Sequence, residues 1–211
     1  MKKNIEDLNF QPFVSEAYKN NNGIYGKLLI IGESHYHDED DIETDTEIEE
    51  QVEKEVASNE FTSAIVNGYI KGEWNLKFYR NLGLLFNEND KYEVWKNVAF
   101  ANAIQVGLIK STSQPTGEDI ATVIPAFWSL LDNLKPDKVL ICSKRMWNHW
   151  MPDSDNRSNH LKNVSLNEKY SNIWEFKYTN GKCFGMGINH PSSRGFTPKD
   201  WRPLVKYFLD L

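Results

Sequence analysis

Residues 33–37 put a carboxylate, a hydroxyl, an imidazole, a phenol and a second imidazole in one unbroken run: Glu33, Ser34, His35, Tyr36 and His37. Late in the chain Asn189, His190, Pro191, Ser192, Ser193 and Arg194 form a second run of this kind, and Asn102 and Gln105 form a third, smaller set. A glutamate can take a proton or hold a water. A histidine can donate to a developing anion, and an asparagine can read the planar amide edge of a ligand. Together these types suit one chemistry: a leaving group is polarised while water attacks the atom it leaves.

Each run follows an apolar stretch. LLII and Gly32 precede Glu33; KLLIIG is too short for a helix and has no polar face, so it reads as a strand buried on both sides. WKNVAFANAIQ (95–105) reads as a second strand running into a loop, and KVLICS (138–143) as a third after the Lys135–Pro136–Asp137 turn. IWEFKYTNGKCFGMGINH reads as two strands joined at Asn180–Gly181. Helical spacing covers 5–19, two pieces within 60–87 parted near Gly72, 117–134, and a last helix after Pro198. Residues 151–171, rich in Asn and Ser, read as a long surface loop. Strands alternating with helices define an α/β fold, a three-layer α/β/α sandwich around a central, mostly parallel sheet. In such sheets ligands sit beyond the carboxyl ends of the strands. The loops GESHYH, ANAIQ, SKRMW and NHPSSRGF would then share one rim.

The chain has 211 residues, read as one domain over 1–211, with ordinary globular composition. No apolar run approaches the roughly 20 residues of a membrane span, and no apolar signal core follows Lys2 and Lys3. A cytoplasmic protein without membrane partners is expected. The net charge of −6 is unevenly placed: Asp38–Glu55 holds eleven acids and one lysine, while 135–211 holds thirteen Lys and Arg against seven acids. A solvated helix face is the plain reading of the acidic segment; mimicry of nucleic acid, or occlusion of the rim, is the sharper one. The basic last third is compatible with a polyanion. Cys142 and Cys183, both in strand-like runs, read as buried free thiols ahead of a disulfide or metal pair.

Four motifs in order resemble the uracil-DNA glycosylase superfamily over about residues 25–208. GESHYH (32–37) resembles the G-Q-D-P-Y-H water-activating loop of family 1, and Glu33 has a parallel in the G-E-A-P-G loop of related families. VAFANAIQV (98–106) resembles the strand ending in the base-reading Asn. KPDKVLICSKRMW (135–147) resembles the strand that leads into a helix, and HPSSRGF (190–196) the H-P-S-P loop. The resemblance implies a glycosylase-like fold and hydrolysis of an N-glycosidic bond in DNA or a related nucleotide. It needs no metal or cofactor, and its partner is DNA or a nucleobase-containing ligand. It implies that His190 donates to the departing base, that Asn102 reads it and that Tyr36 walls the pocket with His37 behind it. Ser192 would contact phosphate and Arg194 would lie on the DNA side. Ser34 stands where family 1 has its catalytic Asp, so the water falls to Glu33 or is held by Ser34. The position of the family's stacking Phe is not legible.

Plainer readings stand beside these. Glu33 could cap the next helix or pair with a lysine, and Asn102 could cap a turn. In an extended segment His35 and His37 point to opposite sides and suit surface histidines better than a metal site. Trp95, Trp128 and Trp147 read as core. LLIIGESHY also resembles the start of a nucleophile elbow, a serine hydrolase using Ser34 and His190, although Tyr36 occupies the place of the second glycine. A third class is a nucleic-acid or protein-binding member of the fold without catalysis.

Overall fold

The computed structural model describes residues 5, 6, 8–36, 60–108, 113–151 and 156–211. Strand β2 (Leu28–Gly32), with β1 (Phe13–Val14) and the short helix α1 (Glu16–Lys19) before it, has no exposed side chain between Leu28 and Ile31. Each such side chain is worth about 1.5–3 kcal/mol when fully buried, which is what puts this segment at the centre. Then follow β3 (His35–Tyr36), α2 (Phe61–Lys71), α3 (Lys77–Phe86), a 3-10 turn (Val94–Lys96), β4 (Ala99–Asn102) and β5 (Gly107–Leu108). The second half runs α4 (Gly117–Ala121), α5 (Val123–Leu134), β6 (Lys138–Ile141), α6 (Lys144–His149), β7 (Ser158–Leu166), β8 (Lys169–Tyr178), β9 (Gly181–Gly187) and α7 (Pro198–Leu209).

Seven strands form one sheet in the order β1-β4-β2-β6-β9-β8-β7. The four central strands β4, β2, β6 and β9 are parallel; β1, β8 and β7 pair antiparallel. The sheet is therefore mixed, with a parallel centre and an antiparallel extension. Side-chain alternation splits the core in two. Leu29, Ile31, Ala101, Val139 and Ile141 face α5 through Phe127, Leu130 and Leu131. Leu28, Ile30, Phe100 and Leu140 face Val66 of α2, Leu82 and Leu85 of α3, and Leu204 and Phe208 of α7. Helices thus cover both faces. Cys142 belongs to the second core and Cys183 to the first, so the sheet separates these two free, buried thiols. Burial pushes both thiols well above their usual range.

Three expectations need correction. Among the described residues from 5 to 19, only Glu16–Lys19 is helical. Pro12 disfavours helix at Gln11, and the Gln11 amide instead bonds the backbone of Ile5 and Leu8. The helix over 117–134 is two helices parted at Thr122, because Pro125 lacks the N–H that would bond Ala121. Residues 158–166 are not loop but a nine-residue edge strand, β7. It is turned back on β8 by Asn167 and Glu168, both at positive φ (50° and 61°). Among the described residues, no helix is long and apolar enough to cross a membrane.

Candidate functional site

Because β2, β4, β6 and β9 are parallel, the loops after them meet at one rim. Two loops are stitched together: the Ala103 and Ile104 N–H groups donate to the carbonyls of Gly32 and Glu33, and β3 pairs with β5, His35 opposite Gly107 and Tyr36 opposite Leu108. Glu33 is 5% exposed and, among the described residues, is neither free nor paired with a lysine. One carboxylate oxygen accepts from Ser143 Oγ at 2.6 Å, and the other pairs with the Arg145 guanidinium. Both partners come from the loop after β6. Ser143 also N-caps α6, accepting from Met146 N–H at 3.2 Å. Arg145 further bonds Gln114 and lies over the Trp150 ring.

Asn102 ends β4 directly opposite Gly32. Its Oδ1 lies 2.2 Å from where a β-carbon on Gly32 would stand, so glycine is required for the amide to cross there. The residue is 5% exposed, and among the described residues its side-chain amide has no hydrogen-bond partner. Turn capping falls instead to Gln105, whose Nε2 donates to the Asn102 carbonyl at 2.8 Å.

His190 is half-buried, with its ring 5.1 Å from Phe78, and Phe78 in turn lies 5.8 Å from Phe100. Phe100 precedes Asn102 by two residues and closes on Gly32. One aromatic ring of α3 thus lies against both Phe100 of β4 and His190. Helix α3 also holds the His190 loop: Lys77 donates to the Ser192 carbonyl at 2.9 Å and Asn81 to the Pro191 carbonyl at 2.8 Å. The Ser192 N–H donates to His190 Nδ1 (3.3 Å), and Ser192 Oγ lies 2.8 Å from it. A backbone N–H cannot accept, so Nδ1 is the acceptor nitrogen and the ring proton sits on Nε2. Burial lowers the proton affinity of His190; the Glu33 carboxylate opposes this and the Arg145 guanidinium adds to it, leaving it below the usual imidazole range.

The other candidates divide. His35 is buried, not at the surface as expected: its Nε2 lies 3.1 Å from Thr62 Oγ1 and its ring packs on Phe10 and Phe61. Tyr36 is half-buried on the rim. His37 and the acidic run Asp38–Glu55 lie outside the described residues. Ser34 Oγ is buried with no partner among the described residues, and no hydrogen bond joins it to His190. Ser192 serves His190 in this structure, and Arg194 is exposed on the same loop. Trp95, Trp128 and Trp147 are core residues, as their sequence context suggests. Sequence reading missed Phe78, Ser143 and Arg145. The last two were findable, since SKRMW is a strand-end loop; Phe78 sits in a helix whose aromatics all read as core.

Compared with family models, with curated proteins and with solved structures, the chain matches none of them.

Proposed function

We propose that this chain is a divergent protein of the uracil-DNA glycosylase type, hydrolysing the N-glycosidic bond of a nucleobase in DNA or a related nucleotide. The observation that carries the reading is the placing of Phe78 against both Phe100 and His190, with Asn102, whose amide has no partner among the described residues, two residues after Phe100 on the same strand. A flat base stacks on the ring and presents its amide edge to Asn102. Its carbonyl oxygen takes the His190 Nε2 proton as a hydrogen bond. When the bond from C1′ to the base nitrogen breaks, its electrons leave with the base, whose anion is stabilised by that donor. Glu33, fixed by Ser143 and Arg145, stands as a negative charge near the electron-poor sugar. Each of its oxygens keeps a second lone pair for the attacking water. The deciding experiment is chromatography of free base released from single strands carrying uracil or damaged bases. Release from none of them rejects the reading.

The occupied state of Glu33 favours a second reading, a base-binding protein without chemistry, in which a base binds and nothing is released. The serine-hydrolase alternative has less support, because Nδ1 of His190 is engaged by Ser192; a fluorophosphonate should leave Ser34 unlabelled.

Two expectations follow from the site. Gly32→Ala drives the Asn102 amide aside, and a side-chain end can yield, so stability falls by no more than ~1.5 kcal/mol. The amide contact is lost, and KM rises about tenfold, as removal of one or two hydrogen bonds requires. Melting and steady-state kinetics separate the two effects. The second concerns pH. The folded pKa of His190 lies below its unfolded value of about 6.5, so the unfolded chain binds the proton first as pH falls. His190 therefore costs no stability at neutral pH and costs progressively more below about 6.5. Protonation of Nδ1 would break the bond it accepts from the Ser192 N–H and displace the ring, so loss of activity on the acid side should have its midpoint below the usual imidazole range. Arg145→Gln removes a positive charge and should move that midpoint to higher pH, read from a pH–rate profile.

A further inference from the structure

Large exposed aromatic side chains flank the His190 loop on both sides. On one side, the elbow between α2 and α3 leaves Trp74 and Leu76 41% and 37% exposed. The bond from Lys77 to the Ser192 carbonyl fixes that elbow beside the loop. On the other side, β8 runs antiparallel to β9 and so starts at the same rim, where Tyr170 is 68% exposed. Lys144 Nζ sits 4.7 Å from the Tyr170 ring centre and 3.3 Å from Ser171 Oγ, which is itself tied to the Gly187 carbonyl at the end of β9. Between the two sides Arg194 is exposed and has no ion pair among the described residues. Burial lowers Lys144 to about 8, which still leaves it charged at neutral pH. Among the described residues, the acids Glu73 and Asp200 are paired with Lys71 and Lys169.

We propose that a single-stranded nucleic acid crosses this rim, with bases on either side of the central one stacking on Trp74 and Tyr170 and its phosphates meeting Lys77, Lys144 and Arg194. This deepens the glycosidic reading and rests on it for the identity of the central base. Rings flanked by separate cations are the arrangement that holds unpaired bases. In a duplex the base faces are covered by their neighbours, and such rings gain nothing.

The test is fluorescence anisotropy with labelled oligothymidylate and oligouridylate of about 15 nucleotides and the matched duplex, at roughly 50 and 200 mM salt. Oligothymidylate carries no uracil, so its binding is read apart from chemistry; oligouridylate carries uracil, and base release from it is followed alongside its binding. A single strand should bind at least about tenfold more tightly than the duplex, and the two oligomers tell deoxyribose from ribose. Trp74→Ala and Tyr170→Ala should each weaken binding about tenfold, and Arg194→Ala should lower the salt slope by about one. Tyr170 is exposed enough that its removal leaves the fold intact, which keeps the test decisive even if Trp74→Ala loosens α2. Equal or tighter binding of the duplex, no binding of either single strand, or wild-type affinity in both aromatic variants overturns the inference. Strand binding without base release removes the glycosidic reading and leaves this surface standing; base release without strand binding does the reverse.

Discussion

His190→Ala is expected to slow base release by about 10²–10³-fold, the cost of removing one preorganised donor from a developing anion. The loss should fall on kcat and on kcat/KM alike, because the Nε2–H bond strengthens only as the base departs. In the proposed mechanism the base still stacks on Phe78 and is read by Asn102, so KM should change little. Single-turnover base release with chromatographic detection measures this directly, and an unchanged rate in the variant would remove His190 from the mechanism. Stability is a weak confounder here. The imidazole is half-buried and bonded within its own loop, and its truncation should cost about 1 kcal/mol.

The second large effect lies away from the chemistry. A β-carbon on Gly83 would stand 1.9 Å from the Lys91 carbonyl oxygen and 2.7 Å from its carbonyl carbon. These atoms are backbone and cannot swing aside, so Gly83→Ala must lift α3 off the 3-10 region that follows it. A loss of roughly 3 kcal/mol is expected, which for a chain of this size lowers Tm by about 6–12 °C. Gly117→Ala is the control: nothing stands within 4 Å of its β-carbon position, and the substitution should be neutral or slightly stabilising. Gly83→Ala should also impair function, because α3 carries Lys77, Phe78 and Asn81, the three residues that touch the His190 loop. Parallel melts and base-release assays on both variants separate packing from chemistry.

The legible parts of the fold were those with one physical cause. β2 could be read because four apolar residues with no polar face fit only a strand covered on both sides. Its parallel neighbours followed from the intervening helices. The rim loops were legible for the same reason, since a parallel centre sends all its carboxyl ends one way. What was not legible depended on partners distant in sequence. β7 has polar residues on both faces and a turn with no glycine, so nothing local marks it as a strand; its pairing with β8 creates it. Arg145 looks like one more surface cation until the parallel pairing of β2 and β6 brings it to Glu33. Phe78 is one of several aromatics on an amphipathic helix, and only the packing of α3 on the Pro191–Ser192 backbone gives it a place beside His190.

The division of the sheet into a parallel centre and an antiparallel extension also sets a timetable of assembly. β7, β8 and β9 are joined by two-residue turns and can zip as soon as they exist. β2 cannot: Leu29 waits for Ala99 on one side and Val139 on the other. On the ribosome, at about 5–20 residues per second, the stretch Leu28–Ile31 stays uncovered for seconds while its partners are made. That stretch is the most apolar strand among the described residues, and a nascent chain displaying it invites pairing with its neighbours. Eleven acids lie a few residues further on, between Asp38 and Glu55. Like charge of that density opposes the approach of two such chains.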